Sequence, residues 1–261
     1  MTKKKILFMG RKKVAAKCLD FLAHREDVEI VGVLTDSHLA VSPTTDIAKK
    51  YGFKIFDFDS ALKSIEDKSL NFDLGLSMLY WRKLKGGFLT VPKNGVINFH
   101  PAPLPEYKGT AGYNLAILDG LKKWAVTAHY VDESIDTGKI IQTNYFDIDY
   151  DHETAQSLER TSQDFLSAQF NSVVERALSQ EGLLASIDNE GGRYVSRLEM
   201  ESMKEVKPTD DVSRKIRAFW FPPYDGAYMM VNGVKCTLVD RKILDGLSDG
   251  SNSSLFTQKS E

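Results

Sequence analysis

The sequence has few of the features that mark secreted or membrane-embedded proteins. Only two cysteines, Cys18 and Cys236, occur among its 261 residues, which is typical of reduced packing residues in a reducing compartment. No stretch approaches the roughly 18 consecutive apolar residues that span a membrane, and the first residues lack the pattern of a secretory signal. We therefore expect a cytoplasmic protein that does not associate with membranes.

Motifs for common cofactors and an excess of positive charge are also absent. Gly10 stands alone after the first strand-like run, so the G-x-G-x-x-G pattern of dinucleotide sites is missing. The sequence contains no G-x-x-x-x-G-K-[ST], H-E-x-x-H or paired C-x-x-C motif. The 34 Lys and Arg residues against 36 Asp and Glu residues give a net charge of −2, with no electrostatic sign of a nucleic-acid partner. We expect neither a bound metal nor a nucleic-acid ligand.

The first hundred residues alternate between strand-like and helix-like patterns. The strand-like runs are 5–9, 28–34, 54–56, 74–78 and 95–99, and the helical runs between them are 13–23, 45–51 and 60–68. This alternation predicts a Rossmann-like α/β domain with a mostly parallel sheet and helices on both faces. In such sheets, ligands bind beyond the carboxyl ends of the strands.

The second half of the sequence has a different organisation. Two consecutive strands, 124–131 and 138–146, flank an acidic loop, and a long helix at 154–177 follows. The Asn232-Gly233 pair predicts a tight hairpin turn. We predict a catalytic domain over 1–190, a small β-containing subdomain with this hairpin over 191–244, and a flexible tail over 245–261.

Asn98 and His100 are the most informative residues of the sequence. They lie two positions apart where the strand-like run 95–99 ends, so their side chains point to the same face. Three alternating prolines follow and keep the backbone extended. The acidic loop 132–138 carries Asp136 as a candidate partner. An amide, an imidazole and a carboxylate from separate loops suit acyl-transfer chemistry.

Transfer of a formyl or acyl group to an amine requires hydrogen-bond donors for an oxyanion and a base that titrates near neutral pH. Asn98 can donate, His100 can act as a base or a second donor, and Asp136 can hold the imidazole. Each residue also has a structural interpretation: a turn cap, a hydrogen-bonded structural histidine, and a simple hairpin turn. His129 lies inside a strand-like run, and we interpret it as a core or surface residue rather than a catalytic one.

The runs Asn98-Phe-His100-Pro-Ala-Pro-Leu-Pro-Glu-Tyr-Lys-Gly109 and Asp132-Glu-Ser-Ile-Asp136-Thr-Gly-Lys-Ile-Ile-Gln142 resemble the folate-dependent formyltransferase family. The resemblance covers roughly residues 5–180, and it implies that Asn98, His100 and Asp136 are catalytic. It also implies 10-formyltetrahydrofolate as the donor, with no metal. The residues whose backbone would hold the pteridine are Ser77, Met78, Tyr80, Asp132, Glu133, Ser134 and Ile135.

The run Ile216-Arg-Ala-Phe-Trp-Phe-Pro-Pro-Tyr-Asp-Gly-Ala-Tyr228 resembles the signature of sugar N-formyltransferases that act on nucleotide-linked amino sugars. The resemblance implies a dTDP-linked amino sugar as acceptor, foremost dTDP-4-amino-4,6-dideoxyglucose for O-antigen or other surface polysaccharide. The implied acceptor contacts are Glu106, Tyr107, Lys108, Tyr150, Trp220 and Tyr224. A tRNA formyltransferase is disfavoured because we expect it to have a larger, basic carboxy-terminal domain.

Several alternatives remain open at the level of sequence. The acceptor amine could be at C-3, as in a dTDP-3-amino-3,6-dideoxy sugar, or the protein could be a formyltetrahydrofolate hydrolase or a non-catalytic binding protein. Lys108 could contact a pyrophosphate as a point charge or be an exposed loop lysine. We also expect a homodimer, because an aromatic hairpin near 219–231 would suit an interface.

Overall fold

A central β-sheet organises the computed structural model, which describes residues 3–36, 39 and 42–247. The strands are β1 (Lys4–Gly10), β2 (Val28–Leu34), β3 (Ile55–Phe56), β4 (Leu74–Met78), β5 (Val96–His100), β6 (Tyr107–Gly109), β7 (Lys123–Tyr130), β8 (Ile140–Asp147), β9 (Arg193–Val195), β10 (Tyr228–Val231) and β11 (Val234–Thr237). Seven of them form one sheet in the order β3-β2-β1-β4-β5-β7-β8. The strands from β3 to β5 pair in parallel, whereas β7 and β8 are antiparallel to their neighbours. The predicted α/β fold with a mostly parallel sheet is confirmed.

Helices cover both faces of this sheet. They are α1 (Lys12–Ala23), α2 (Pro43–Lys50), α3 (Phe58–Glu66), α4 (Gly87–Thr90), α5 (Gly112–Leu118), α6 (Ala155–Ser179), α7 (Arg197–Ser202), α8 (Val212–Phe219) and α9 (Arg241–Leu247). Ile6 and Phe8 of β1 pack toward α1 and α6, and Leu7 and Met9 pack toward α3 and α4. All four side chains are fully buried, because period-two alternation sends them to opposite, covered faces.

Two predicted helices begin earlier in the structure than the sequence pattern indicated. Helix α2 begins at Pro43, with Ser42 at its N-cap, because proline suits the first helical turn. Helix α3 begins at Phe58, because the Asp57 carboxylate accepts hydrogen bonds from the amides of Asp59 and Ser60. The short helix α4 was not predicted.

The residues after 190 combine short strands with helices. Strand β9 pairs in parallel with β6, and α8 contacts α5 through a hydrogen bond of 2.7 Å from Asn114 Nδ2 to the Ala218 carbonyl. Strands β10 and β11 form the predicted hairpin, in which Asn232 and Gly233 both have positive φ, as a type I′ turn requires. Of the predicted flexible tail, residues 248–261 lie outside the described residues. Across the part of the chain that is described, no helix is long and apolar enough to cross a membrane.

Candidate active site

Three adjacent strands bring polar side chains to one level of the sheet. The strand register places Ser77 of β4 beside Asn98 of β5, and Asn98 beside His129 of β7. Ser77 Oγ donates a hydrogen bond of 2.8 Å to Asn98 Oδ1, and Asn98 Nδ2 lies 3.1 Å from His129 Nε2. The Asn98 amide is therefore held from both sides, with its oxygen toward Ser77 and its nitrogen toward His129.

The hydrogen bonds of His129 determine its tautomer. Nδ1 lies 2.7 Å from the Tyr130 carbonyl, and because a carbonyl only accepts, Nδ1 carries the hydrogen. Nε2 of the neutral ring then accepts from Asn98. Burial lowers the pKa of His129 to about 4, so the ring is neutral at pH 7. Asn98 keeps its second amide hydrogen for another acceptor.

Asp136 lies between two imidazoles. It occupies the loop between β7 and β8, and its Oδ2 is 3.5 Å from His100 Nδ1, while its Oδ1 is 3.7 Å from His129 Nε2. The Gly109 amide donates a hydrogen bond of 2.9 Å to Oδ2. The side chains of Asp136 and His100 are only 11% and 6% exposed, so this charge is shielded from solvent and interacts strongly with its neighbours.

His100 has hydrogen-bond acceptors at both ring nitrogens. Nε2 lies 2.9 Å from the Tyr107 carbonyl, and Nδ1 faces the Asp136 carboxylate. Only the doubly protonated ring can direct a hydrogen to each of these acceptors. His100 can therefore hold and release a proton at Nδ1 while Nε2 stays anchored to the backbone.

The three residues predicted to be catalytic thus come together, and a fourth joins them. His129 is buried, as a core residue would be, and its ring also contacts Asn98 and lies near Asp136, which the sequence did not predict. This contact depends on the antiparallel β5–β7 register, which places His129 opposite Asn98. That pairing joins strands with a long intervening segment, and the local sequence does not encode it.

The loops after β4 and β7 line two neighbouring cavities of about 520 and 470 Å³, although Ser77, Met78 and Tyr80 line neither. Glu133 lines the first, and Ser134 and Ile135 line the second. Both cavities are also lined by Lys83, which belongs to the loop after β4. Tyr80 lies half-buried in the same loop, and burial raises its pKa to about 12.

Three other residues predicted to contact the pteridine, Ser77, Met78 and Asp132, make hydrogen bonds within the protein. The Met78 side chain is fully buried, and its carbonyl accepts from the Arg11 amide at 3.2 Å. Asp132 Oδ1 accepts from the Ser134 amide at 3.0 Å and from Thr137 Oγ1 at 2.6 Å. The Ser77 hydroxyl is used by Asn98. These hydrogen bonds fix the conformation of the loops and the orientation of the Asn98 amide.

Strand β6 and the loop before it contribute backbone groups and one buried cation to the candidate site. Lys108 is only 8% exposed, and its Nζ donates a hydrogen bond of 2.7 Å to the Gly191 carbonyl, so it is not an exposed loop lysine. It lines the 470 Å³ cavity. Tyr107 turns its hydroxyl to Asp119 at 3.0 Å, and Glu106 is exposed.

Tyr150, Trp220 and Tyr224 lie apart from this cluster. Tyr150 follows β8, near the end of the β7–β8 ladder that lies farthest from His129. At about 3.3 Å per residue, this end is roughly 20 Å from His129 along β7. Its hydroxyl accepts a hydrogen bond from Arg214 of α8. The Trp220 carbonyl accepts from the Gln156 amide at 3.2 Å, and Tyr224 is 62% exposed. The structure does not bring these three aromatic residues to Asn98, His100 and Asp136.

Comparison with known proteins identifies relatives by sequence and solved structures with a similar fold. The profile of the formyl transferase family matches residues 4–174. A methionyl-tRNA formyltransferase of Syntrophomonas wolfei is 28% identical over 261 residues, which cover 94% of this chain and 82% of that relative.

Two solved structures share the fold. A 4-N formyltransferase from Francisella tularensis superimposes with a TM-score of 0.75 at 22% identity, covering 90% of this chain and 96% of that chain. An N-formyltransferase from Helicobacter canadensis, in complex with folinic acid and dTDP-3-aminofucose, has a TM-score of 0.71 at 22% identity, covering 90% of this chain and 86% of that chain.

Proposed function

As this chain belongs to the formyl transferase family, we propose that it transfers a formyl group from 10-formyltetrahydrofolate to the amine of a dTDP-linked amino-dideoxy sugar. The observation that carries this proposal is the shielded Asp136 carboxylate between His100 and His129, beside the oriented amide of Asn98. These groups provide a hydrogen-bond donor and a proton carrier at one point, as formyl transfer to an amine requires.

The folate would lie along the two cavities that the loops after β4 and β7 line. A ligand of this kind needs a cleft with a few fixed polar groups, and the combined volume of about 520 and 470 Å³ suits a flat ring with an extended tail. Arg82, Lys83 and Lys85 line the first cavity, where they match the negative glutamyl carboxylates of a folate. When bound, the folate supplies the formyl group in an activated form.

The chain's own residues would act on the oxyanion and on the proton. As the acceptor amine bonds to the formyl carbon, negative charge develops on the formyl oxygen, and the free N–H of Asn98 can donate to it. Asp136 holds His100 in place, and His100 takes up at Nδ1 the proton that the amine loses. As the bond from carbon to the folate nitrogen breaks, that proton passes to the nitrogen, and the products are a formamide and tetrahydrofolate.

An amino sugar is favoured over tRNA by the charge of the carboxy-terminal residues. Residues 191–247 contain ten Lys and Arg against eight Asp and Glu, and six of these ten cations form ion pairs with acidic side chains. Nucleic-acid binding relies on cations that can neutralise phosphates. The Helicobacter canadensis structure, which contains a dTDP-amino sugar, supports the same acceptor class.

Methionyl-tRNA is the second candidate acceptor. Its support is the 28% identity to the Syntrophomonas wolfei protein over 94% of this chain. Within the first candidate, we propose dTDP-4-amino-4,6-dideoxyglucose before the 3-amino isomer, with the product entering surface polysaccharide.

The test is the release of tetrahydrofolate from 10-formyltetrahydrofolate, with the acceptor product identified by mass spectrometry. Parallel reactions contain the 4-amino sugar nucleotide, the 3-amino isomer, methionyl-tRNA or no acceptor. Release that requires an amino sugar, together with a formylated sugar product, supports the proposal. Formylated methionyl-tRNA supports the second candidate, whereas release without an acceptor identifies a hydrolase. No release in any reaction contradicts the proposal and favours a non-catalytic binding protein.

A further inference from the structure

The residues that follow α6 return to the candidate active site. The Ile187 and Ile140 backbones exchange two hydrogen bonds of 2.9 Å, the Gly191 carbonyl accepts from Lys108, and β9 pairs with β6. This strap, defined as residues 187–195, lies outside residues 4–174, which the formyl transferase profile matches. It nevertheless contacts the loop that carries Asp136.

Asn189 makes the most direct of these contacts. Its side chain is buried, with 8% of the residue exposed, and Nδ2 donates 3.0 Å to the Asp136 carbonyl and 2.9 Å to the Gly138 carbonyl. Both amide hydrogens are therefore used on one turn. Its Oδ1 is buried without a hydrogen-bond partner among the described residues. The Asn189 side chain therefore binds this loop through its two N–H donors.

The loop needs such support because its backbone is constrained. Asp136 has a φ of +56°, a left-handed conformation that non-glycine residues rarely adopt. The backbone of Gly138 is so close to Tyr130 that a Cβ would lie 1.9 Å from the Tyr130 carbonyl oxygen. If the Asp136 backbone relaxed, its carboxylate would move away from His100, His129 and the Gly109 amide.

We propose that Asn189 is a positioning residue for Asp136. By donating to the carbonyls of residues 136 and 138, it holds the left-handed turn and so fixes the carboxylate between the two imidazoles. The catalytic part of this inference rests on the proposed formyl transfer, whereas the structural part does not.

Two substitutions remove the donors. Asn189→Asp has the same shape but sets carboxylate oxygens against two carbonyls, and Asn189→Ala removes the amide without adding charge, should Asn189→Asp fail to fold. We expect kcat to fall about 100-fold in each, since a displacement of about 1 Å has such an effect, with both KM values within threefold. The matched control is Asp188→Asn, an exposed neighbour paired with Lys139 at 3.1 Å, and its activity should stay within twofold of the parent.

A double-substitution cycle separates positioning from general loss of structure. If Asn189 acts through the carboxylate of Asp136, then Asn189→Ala should change the residual rate of an Asp136→Asn enzyme by less than threefold. A second full 100-fold loss would overturn the proposal, and so would an unchanged kcat in both single variants.

Hydrogen exchange tests the same point without activity. The Gly109 amide donates to Asp136 Oδ2, so it should exchange at least tenfold faster in Asn189→Ala, while amides of β4 such as that of Leu76 keep their protection. Unchanged exchange at Gly109 would overturn the positioning role. If the parent protein transfers no formyl group, the proposed function fails, but this measurement still decides whether Asn189 holds Asp136.

Discussion

The Nε2 atom of His129 lies 3.1 Å from the Nδ2 atom of Asn98 and accepts one of its two amide hydrogens. The opposite ring nitrogen, Nδ1, is bound to the Tyr130 carbonyl, so the neutral ring has one fixed tautomer. Ser77 holds the other side of the Asn98 amide. The orientation of the proposed oxyanion donor is thus set by a histidine that need not touch either substrate.

This relationship predicts different outcomes for two substitutions of His129. His129→Leu removes the acceptor, so the Asn98 amide can rotate, and we expect kcat to fall about 10- to 100-fold. His129→Gln offers a carbonyl oxygen as acceptor and should retain more of the activity. Steady-state kinetics with both substrates would test this. Equal losses in the two variants would mean that His129 acts only by filling space.

The central residues should each be required for turnover. We expect Asn98→Ala to lower kcat about 10²- to 10³-fold through the loss of one oxyanion donor, and His100→Ala to lower it about 10²- to 10⁴-fold through the loss of proton transfer. Asp136→Asn should lower kcat by a factor in the same range, because it removes the charge beside both imidazoles. Single-turnover rates and thermal unfolding would be measured together. Full activity of a folded His100→Ala protein would contradict the proposed mechanism.

The buried His129 should make the protein less stable in acid. Burial lowers its pKa from 6.5 to about 4 in the folded state, so below pH 6.5 the unfolded chain binds the proton more readily than the folded chain. This destabilisation is absent above pH 6.5 and grows as the pH falls to 4, to about 3 kcal/mol.

Because carboxylates also titrate in this range, the comparison is with His129→Gln. Urea unfolding at pH 7, 5 and 4 would give the free energy of unfolding of each protein. The parent should lose about 3 kcal/mol more than the variant between pH 7 and pH 4. Parallel pH profiles would show that His129 does not carry this linkage.

Two adjacent glycines of the strap offer a matched test of packing. Gly191 and Gly192 both have a φ of +77°, but a Cβ on Gly191 would meet nothing within 4 Å, whereas one on Gly192 would lie 1.5 Å from the Pro105 carbonyl oxygen. Gly191→Ala should lower the free energy of unfolding by about 1 kcal/mol through backbone strain alone. Gly192→Ala should lower it by about 3 kcal/mol, because the strap must also move from the proline-rich loop. Equal effects in urea unfolding would argue against this contact.

Local sequence patterns contain much of the fold and part of the site. Strand β4 lies where periodicity predicted it, and Asn98 and His100 share a strand face because they are two residues apart. Asp136 could be identified because its loop carries a recognisable motif.

The parts that could not be predicted depend on contacts between distant segments. His129 meets Asn98 through the β5–β7 register, and Asn189 reaches Asp136 from 53 positions away along the chain. The position of Tyr150 depends on how α8 packs. No periodicity in one segment encodes such pairings, because they arise only when the whole sheet and its covering helices assemble.

The pairing of β5 with β7 has a consequence for how this site can be lost. Asn98 and His100 belong to β5, whereas His129 and Asp136 belong to β7 and the loop that follows it, and four residue pairs join the two strands. An opening along this one seam would divide the site into two incomplete halves. Because Phe99, Thr127 and Ala128 in the seam are fully buried, this opening should require nearly the free energy of global unfolding, so turnover and the fold should be lost together on heating.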